Sequence, residues 1–177
     1  MKPSTCLFIV ALLFSCERTA PPATATPPPT PTPSEALDRL DARRPVPLLP
    51  MMANHQKQNM RDHLLAVHEI IAAVAAGDFA AVEKAAARIG FSEQMGQMCT
   101  HMGAGAPGFT ETALEFHHTA DGIAQAARER DRDAVLAALA KTLQTCTGCH
   151  AAWRQQVVSE AEWSRLTASA APAGHHP

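Results

Sequence analysis

The chain has no tyrosine, and aromatic residues make up only 5% of it, with 6 Phe and 2 Trp. Its β-branched residues are not grouped in the alternating runs that mark half-buried strands, so the apolar pattern points to helices and not to a sheet. Neither sign of charge is in excess: 15 Lys and Arg stand against 17 Asp and Glu, a formal net charge of -2. Without a basic patch there is no electrostatic footprint for nucleic acid, and no such partner is expected. Long apolar runs are missing as well. The most continuous one, Leu7 to Phe14, falls well short of the ~20 residues a membrane-spanning helix needs. Cysteine is scarce, five in all, yet two of the five, Cys146 and Cys149, stand three residues apart and directly before His150. What is plentiful is alanine and other apolar residues. At 46% apolar, 177 residues suffice for one core with tails.

The first residues have the shape of a secretory signal: Lys2, a short apolar run, and a small residue at Ser15. "LFSC", Leu13 to Cys16, also resembles the bacterial lipobox, in which cleavage before the cysteine precedes its lipidation. The other reading is an ordinary signal cleaved nearby, with Cys16 incidental. From Glu17 to Ser34 the Pro, Thr and Ala tract "ERTAPPATATPPPTPTPS" would lie extended as a tether, and Pro45, Pro47 and Pro50 mark its end. The expected organisation is a signal peptide at 1–15, a lipidated cysteine and Pro-rich linker at 16–47, a helical domain at 48–160, and a C-terminal tail at 161–177. The expected location is extracytoplasmic, on the periplasmic side of a bacterial membrane and held there by the lipid.

Four helical stretches follow. Met60, Leu64, Val67, Ile71 and Val74 recur at helical spacing, and Gly77 ends that helix. Asp78 caps a second, with Phe79, Val82, Ala86 and Ile89 inside. Ser92 to Met102 extends it before the loop "GAGAPG", Gly103 to Gly108. Thr112 and Glu115 have capping-box spacing ahead of a third helix with Phe116, Ala120 and Ile123 inside. The last runs from "RERDRD" through Leu136, Leu139, Leu143, Cys146, His150, Trp153 and Val157. The expected fold is all-α, an antiparallel up-down-up-down four-helix bundle.

On that last helix Cys146 and His150 share a face, and Cys149 lies one step around. C-x-x-C-H is the attachment motif of c-type haem. Two thiols add across the haem vinyl groups, fixing the porphyrin along one turn, and the adjacent imidazole serves as proximal iron ligand. The expected cofactor is one covalent haem c, giving a bundle with covalently attached haem. Two other readings stand beside it. A redox pair of Cys146 and Cys149 would need βαβ units. A zinc site would combine Cys99 and His101 with Cys146 and Cys149.

"CTGCHAAWR" carries a family resemblance. From about Met51 to Val158 the chain looks like the cytochrome c-prime group, four-helix bundles with C-x-x-C-H near the end of the last helix. The resemblance implies that Trp153 and Arg154 surround the haem, the basic residue beside the proximal histidine. It also implies that the first helix faces the sixth position on iron, where some members place an apolar residue and others methionine. Met60 is the expected distal ligand; His63 is its main rival, with Met52 and His55 upstream. The segment Met98 to Phe109, with its extra Cys99, departs from the family pattern. With Met60 bound, a monohaem electron carrier serving redox partner proteins is expected, and with the position vacant, a binder of nitric oxide or carbon monoxide. No enzyme is expected, because His63 is the sole polar distal candidate. Many relatives pair two bundles as a homodimer, and the resemblance leaves open whether this chain does.

Overall fold

The computed structural model describes residues 30–170. The signal peptide, Cys16, most of the Pro-rich tract, and the end of the tail lie outside the described residues. The chain divides into two compact units, Met1–Leu40 and Asp41–Pro177.

The described part of the first unit contains one helix, α1 (Pro33–Leu40). It falls inside the expected linker. The reason is local: the Thr32 hydroxyl accepts from the Glu35 N–H while the Glu35 carboxylate accepts from the Thr32 N–H at 2.7 Å. That is a reciprocal cap, and Pro33 is preset for the first helical turn.

In the second unit the order is β1 (Arg44–Leu48), α2 (Pro50–Ala76), α3 (Phe79–Ala87), α4 (Glu93–Gly103), α5 (Phe109–Arg128), α6 (Arg132–Ala152), β2 (Trp153–Val157) and α7 (Glu160–Ala170). The chain is thus mostly helical, and several boundaries fall where the sequence puts them. Gly77 ends α2 in the left-handed conformation, φ 71°. Asp78, Ser92 and Asp131 each accept a backbone N–H at the start of α3, α4 and α6. The third stretch differs: α5 begins at Phe109, after Gly108 at φ 89°, and Thr112 lies within the helix, its hydroxyl donating to the Gly108 carbonyl.

Two strands were not expected. β1 and β2 pair in parallel, Arg44 opposite Trp153 and Leu48 opposite Val157, so residues 44–48 are part of the fold and not of the linker. The last helix stops at Ala152 instead of running through Val157, and α7, which begins at Glu160, makes residues 161–170 of the expected tail helical. Pro45 and Pro47 hid the first strand, because a central strand cannot spare N–H groups. This one can: the Leu48 carbonyl accepts from Val158, which turns alternate residues of β1 toward its partner and the two prolines away. The strands tie the start of α2 to the end of α6.

The core has two parts. The larger gathers Ala66, Val67 and Ile70 of α2, Val82 and Ala86 of α3, Phe116, Ala120 and Ile123 of α5, and Val135 and Leu139 of α6. The smaller sits at the strands, with Val46, Leu48, Ala53, Met102, Ala106, Phe109 and Trp153. α2 packs on α3, α3 on α5, and α5 on α6, whereas α2 and α6 touch each other little.

Both outer stripes are rotated from expectation. On α2 the buried residues are Ala66, Val67, Ile70, Ala73 and Val74, while Met60 is 38%, Ile71 50% and Leu64 70% exposed. On α6, Val135, Leu139 and Thr142 are buried, and Leu136 and Leu143 are exposed. Four residues span about 40° more than one turn, so a stripe read at spacings of three and four still leaves its centre free to shift. Each helix therefore carries an apolar sector wider than the one its neighbours cover.

Candidate functional site

Cys146 and Cys149 occupy the last two turns of α6, at the seam between the two core parts. Cys146 packs against the larger cluster and Cys149 against the smaller. Both are free thiols and half-buried. Burial raises both above the usual thiol range, and for Cys149 the neighbouring Cys146 adds to the rise. They are uncharged at neutral pH. The threonines around them present no free hydroxyl, because Thr142, Thr145 and Thr147 each donate to a carbonyl one turn back.

His150 is exposed, not inward. The same 40° advance carries it to the edge of the face that Cys146 begins. Its imidazole makes no hydrogen bond among the described residues, but its backbone is held: the carbonyl accepts from Arg43 Nη1 at 3.1 Å. Arg43 in turn is gripped by Asp41, whose carboxyl it holds down to about 2. Sequence reasoning missed Arg43 and Arg44 by placing them in the linker. The available signal was the buried, alternating Val46 and Leu48 just beyond them.

Trp153 ends α6, its N–H reaching the Cys149 carbonyl, and begins β2. Its ring is buried between Phe109, edge-on at 5.6 Å, and the Arg44 guanidinium, 3.7 Å above it. The indole Nε1 is buried with no protein acceptor. Arg154, half-buried, follows on the strand's other face and adds to the field on Asp41.

The candidates for the far side of the cofactor separate. Met60 lies on the uncovered flank of α2. His63 is turned to α5, stacked on Phe116 at 4.6 Å and edge-on to His117 at 5.4 Å. Burial drives His63 down to about 4, with the His117 charge adding to the effect. His117 is itself buried and lowered, its Nδ1 donating to the Ile89 carbonyl at 2.8 Å. Met52, like Cys149, packs against the smaller core, and His55 touches Met98.

The zinc set is not assembled. Among the described residues no three His, Cys, Asp or Glu side chains come together as a metal-holding group. Cys99 is buried in α4, and His101 leans on Trp163 at 5.5 Å. The two belong to one turn of a helix, and their side chains diverge.

The model of the family described as Cytochrome C' matches residues 104–154, which span α5, α6 and the first residues of β2 and include the whole motif. Comparison with curated proteins and with solved structures returned no match. Proteins of the matched family are typically non-enzymatic and extracytoplasmic. Among the described residues no helix is long and apolar enough to cross a membrane. The donors present fit the family's cofactor: two free thiols one turn apart, an adjacent imidazole with no hydrogen bond among the described residues, and apolar flanks on α2 and α6 that the described residues leave exposed. Over residues 104–154 the chain is therefore similar to the Cytochrome C' family, whose members carry covalently attached haem c and serve in electron transfer or gas binding.

Proposed function

We propose that this protein is an exported monohaem c-type cytochrome carrying single electrons between extracytoplasmic redox proteins. Haem supplies one-electron chemistry at iron. Cys146 and Cys149 would hold it as thioethers, with His150 and Met60 offering the iron their ring nitrogen and sulfur and Trp153 and Arg154 among its surroundings. Thioether and imidazole ligation favours a raised potential, which suits a carrier. In this reading α2, α3 with α4, α5 and α6 form an antiparallel four-helix bundle around the group, and lipid on Cys16 tethers it to a membrane. The observation that carries the reading is the state of Met60: its thioether is left on an apolar flank and is not consumed by the core.

The second reading is a five-coordinate binder of nitric oxide or carbon monoxide. It is the outcome if Met60, which belongs to neither core cluster among the described residues, does not reach the iron. Replacing Cys146 and Cys149 by alanine separates both readings from a haem-free function. Haem that survives acid-acetone extraction in the parent chain and is absent from the double variant supports covalent attachment, and haem retained by the variant contradicts it.

A further inference from the structure

Seven methionines are present, and five of them stand at 51, 52, 95, 98 and 102. The larger core cluster contains none; the smaller contains Met102 and packs against Met52 and Met98. A flexible thioether used only to fill gaps would be spread through both parts. Here sulfur is concentrated where the first turns of α2 meet α4.

At that meeting His55 Nε2 lies 3.0 Å from Met98 Sδ. The Asn59 amide donates to the same sulfur at 3.5 Å and lies 3.4 Å from the same ring nitrogen. Nε2–H donating to Sδ accounts for this contact; with the proton moved to Nδ1, that hydrogen bond is given up and Nε2 and Sδ each have a lone pair to offer a metal ion. Met52 stands one turn before His55 on α2. His55 is exposed, and Met52, Asn59 and Met98 are half-buried, so the spot is open on one side and apolar on the other. No carboxylate pairs with His55, Asn59 or Met98 among the described residues, which disfavours calcium, magnesium and manganese. Imidazole and thioether together select a soft, singly charged ion.

We propose that His55, Met98 and Met52 bind one copper(I) ion, with Asn59 orienting the imidazole and the thioether. The site uses none of the residues that the proposed function assigns to haem, and it takes Met52 and His55, the upstream alternatives to Met60, for copper instead. Binding forms Cu–N and Cu–S bonds, displaces weakly held water or chelator, and changes no oxidation state.

The test is competition for copper(I) against a chromophoric bidentate chelator under reducing, anaerobic conditions, using the full-length protein. Cys146 and Cys149 must be occupied by haem or, if no haem attaches, replaced by alanine, so that no motif thiol competes. One equivalent retained, with X-ray absorption showing both nitrogen and sulfur neighbours, is the expected result. H55A and M98L should each weaken binding about tenfold or more, the scale on which metal sites respond to lost support. C99A should leave binding unchanged. Failure of the parent chain to hold copper(I), affinity insensitive to both H55A and M98L, or loss of binding in C99A would overturn the site. So would a change in the haem spectrum of M98L or H55A, because it would assign those residues to iron. Should either variant fold poorly, sulfur and nitrogen neighbours in the parent chain still decide the matter.

Discussion

At the scale of single residues, the least ordinary groups are the two histidines facing each other across α2 and α5. His63 is held to about 4 by burial and by His117, well below the 6.5 of a free imidazole. A histidine lowered in the folded state is neutral there, whereas the unfolded chain takes up its proton. Stability is therefore full above about pH 6.5 and falls as pH drops toward 4, by on the order of 2–3 kcal/mol from His63. His117, lowered in the same direction, acts with it. Denaturant midpoints measured between pH 4 and 7 should show this slope, and it should flatten in H63F, which keeps the ring against Phe116. A slope unchanged in H63F would place the titration elsewhere. Met60 admits a parallel test. M60L keeps the apolar volume and removes the sulfur, so its ferrous form should gain carbon monoxide binding that the parent lacks. A core role for Met60 would instead leave ligand binding as it was and lower stability by under about 1.5 kcal/mol.

At the scale of elements, helix ends and caps were legible in the sequence because their signals are local. Gly77, Asp78, Ser92 and Asp131 all act where one residue type suits one backbone conformation. G77A tests this: alanine at φ 71° should cost about 1–2 kcal/mol in chemical denaturation, and no loss would mean that the end of α2 is set by packing. The motif Cys146, Cys149 and His150 is local in the same sense, and the structure places all three on the last turns of α6. What was not legible depended on partners far along the chain. Neither β1 nor β2 has a strand's composition, and each exists because the other lies beside it, 109 positions away in register at Arg44 and Trp153. The rotation of the α2 and α6 stripes has the same origin. Apolar residues such as Leu64 and Leu143 mark a face, but only the neighbour decides how much of it is covered. Leu139, buried in α6, makes the contrast measurable. L139A should destabilise by about 2–5 kcal/mol, while L143A, partly exposed, should cost far less in the haem-free chain.

At the scale of the whole molecule, the parallel strands decide where the folded unit begins. Val46 and Leu48 are fully buried, and Arg43 holds the carbonyl of His150. A chain starting at Asp41 should unfold within a few degrees of the longer one. A chain starting at Pro50 loses two buried side chains and should be about 3–6 kcal/mol less stable, with the motif end of α6 released. Equal stability would show the strand pair to be dispensable. That same end joins the cytochrome c-prime-like segment to the residues ahead of α2, so the position of the motif draws on the whole unit.

The central claim is that a Met-ligated haem sits in this unit, and an absorption spectrum tests it most directly. The protein, expressed from Asp41 behind a secretion signal with a haem-attachment system, would be recorded in ferric and ferrous forms with and without carbon monoxide. The account predicts a low-spin spectrum with a methionine-to-iron charge-transfer band, unchanged by carbon monoxide. A high-spin ferrous form that takes up carbon monoxide would contradict Met60 ligation and favour the gas binder, and a spectrum with no Soret band would contradict haem itself.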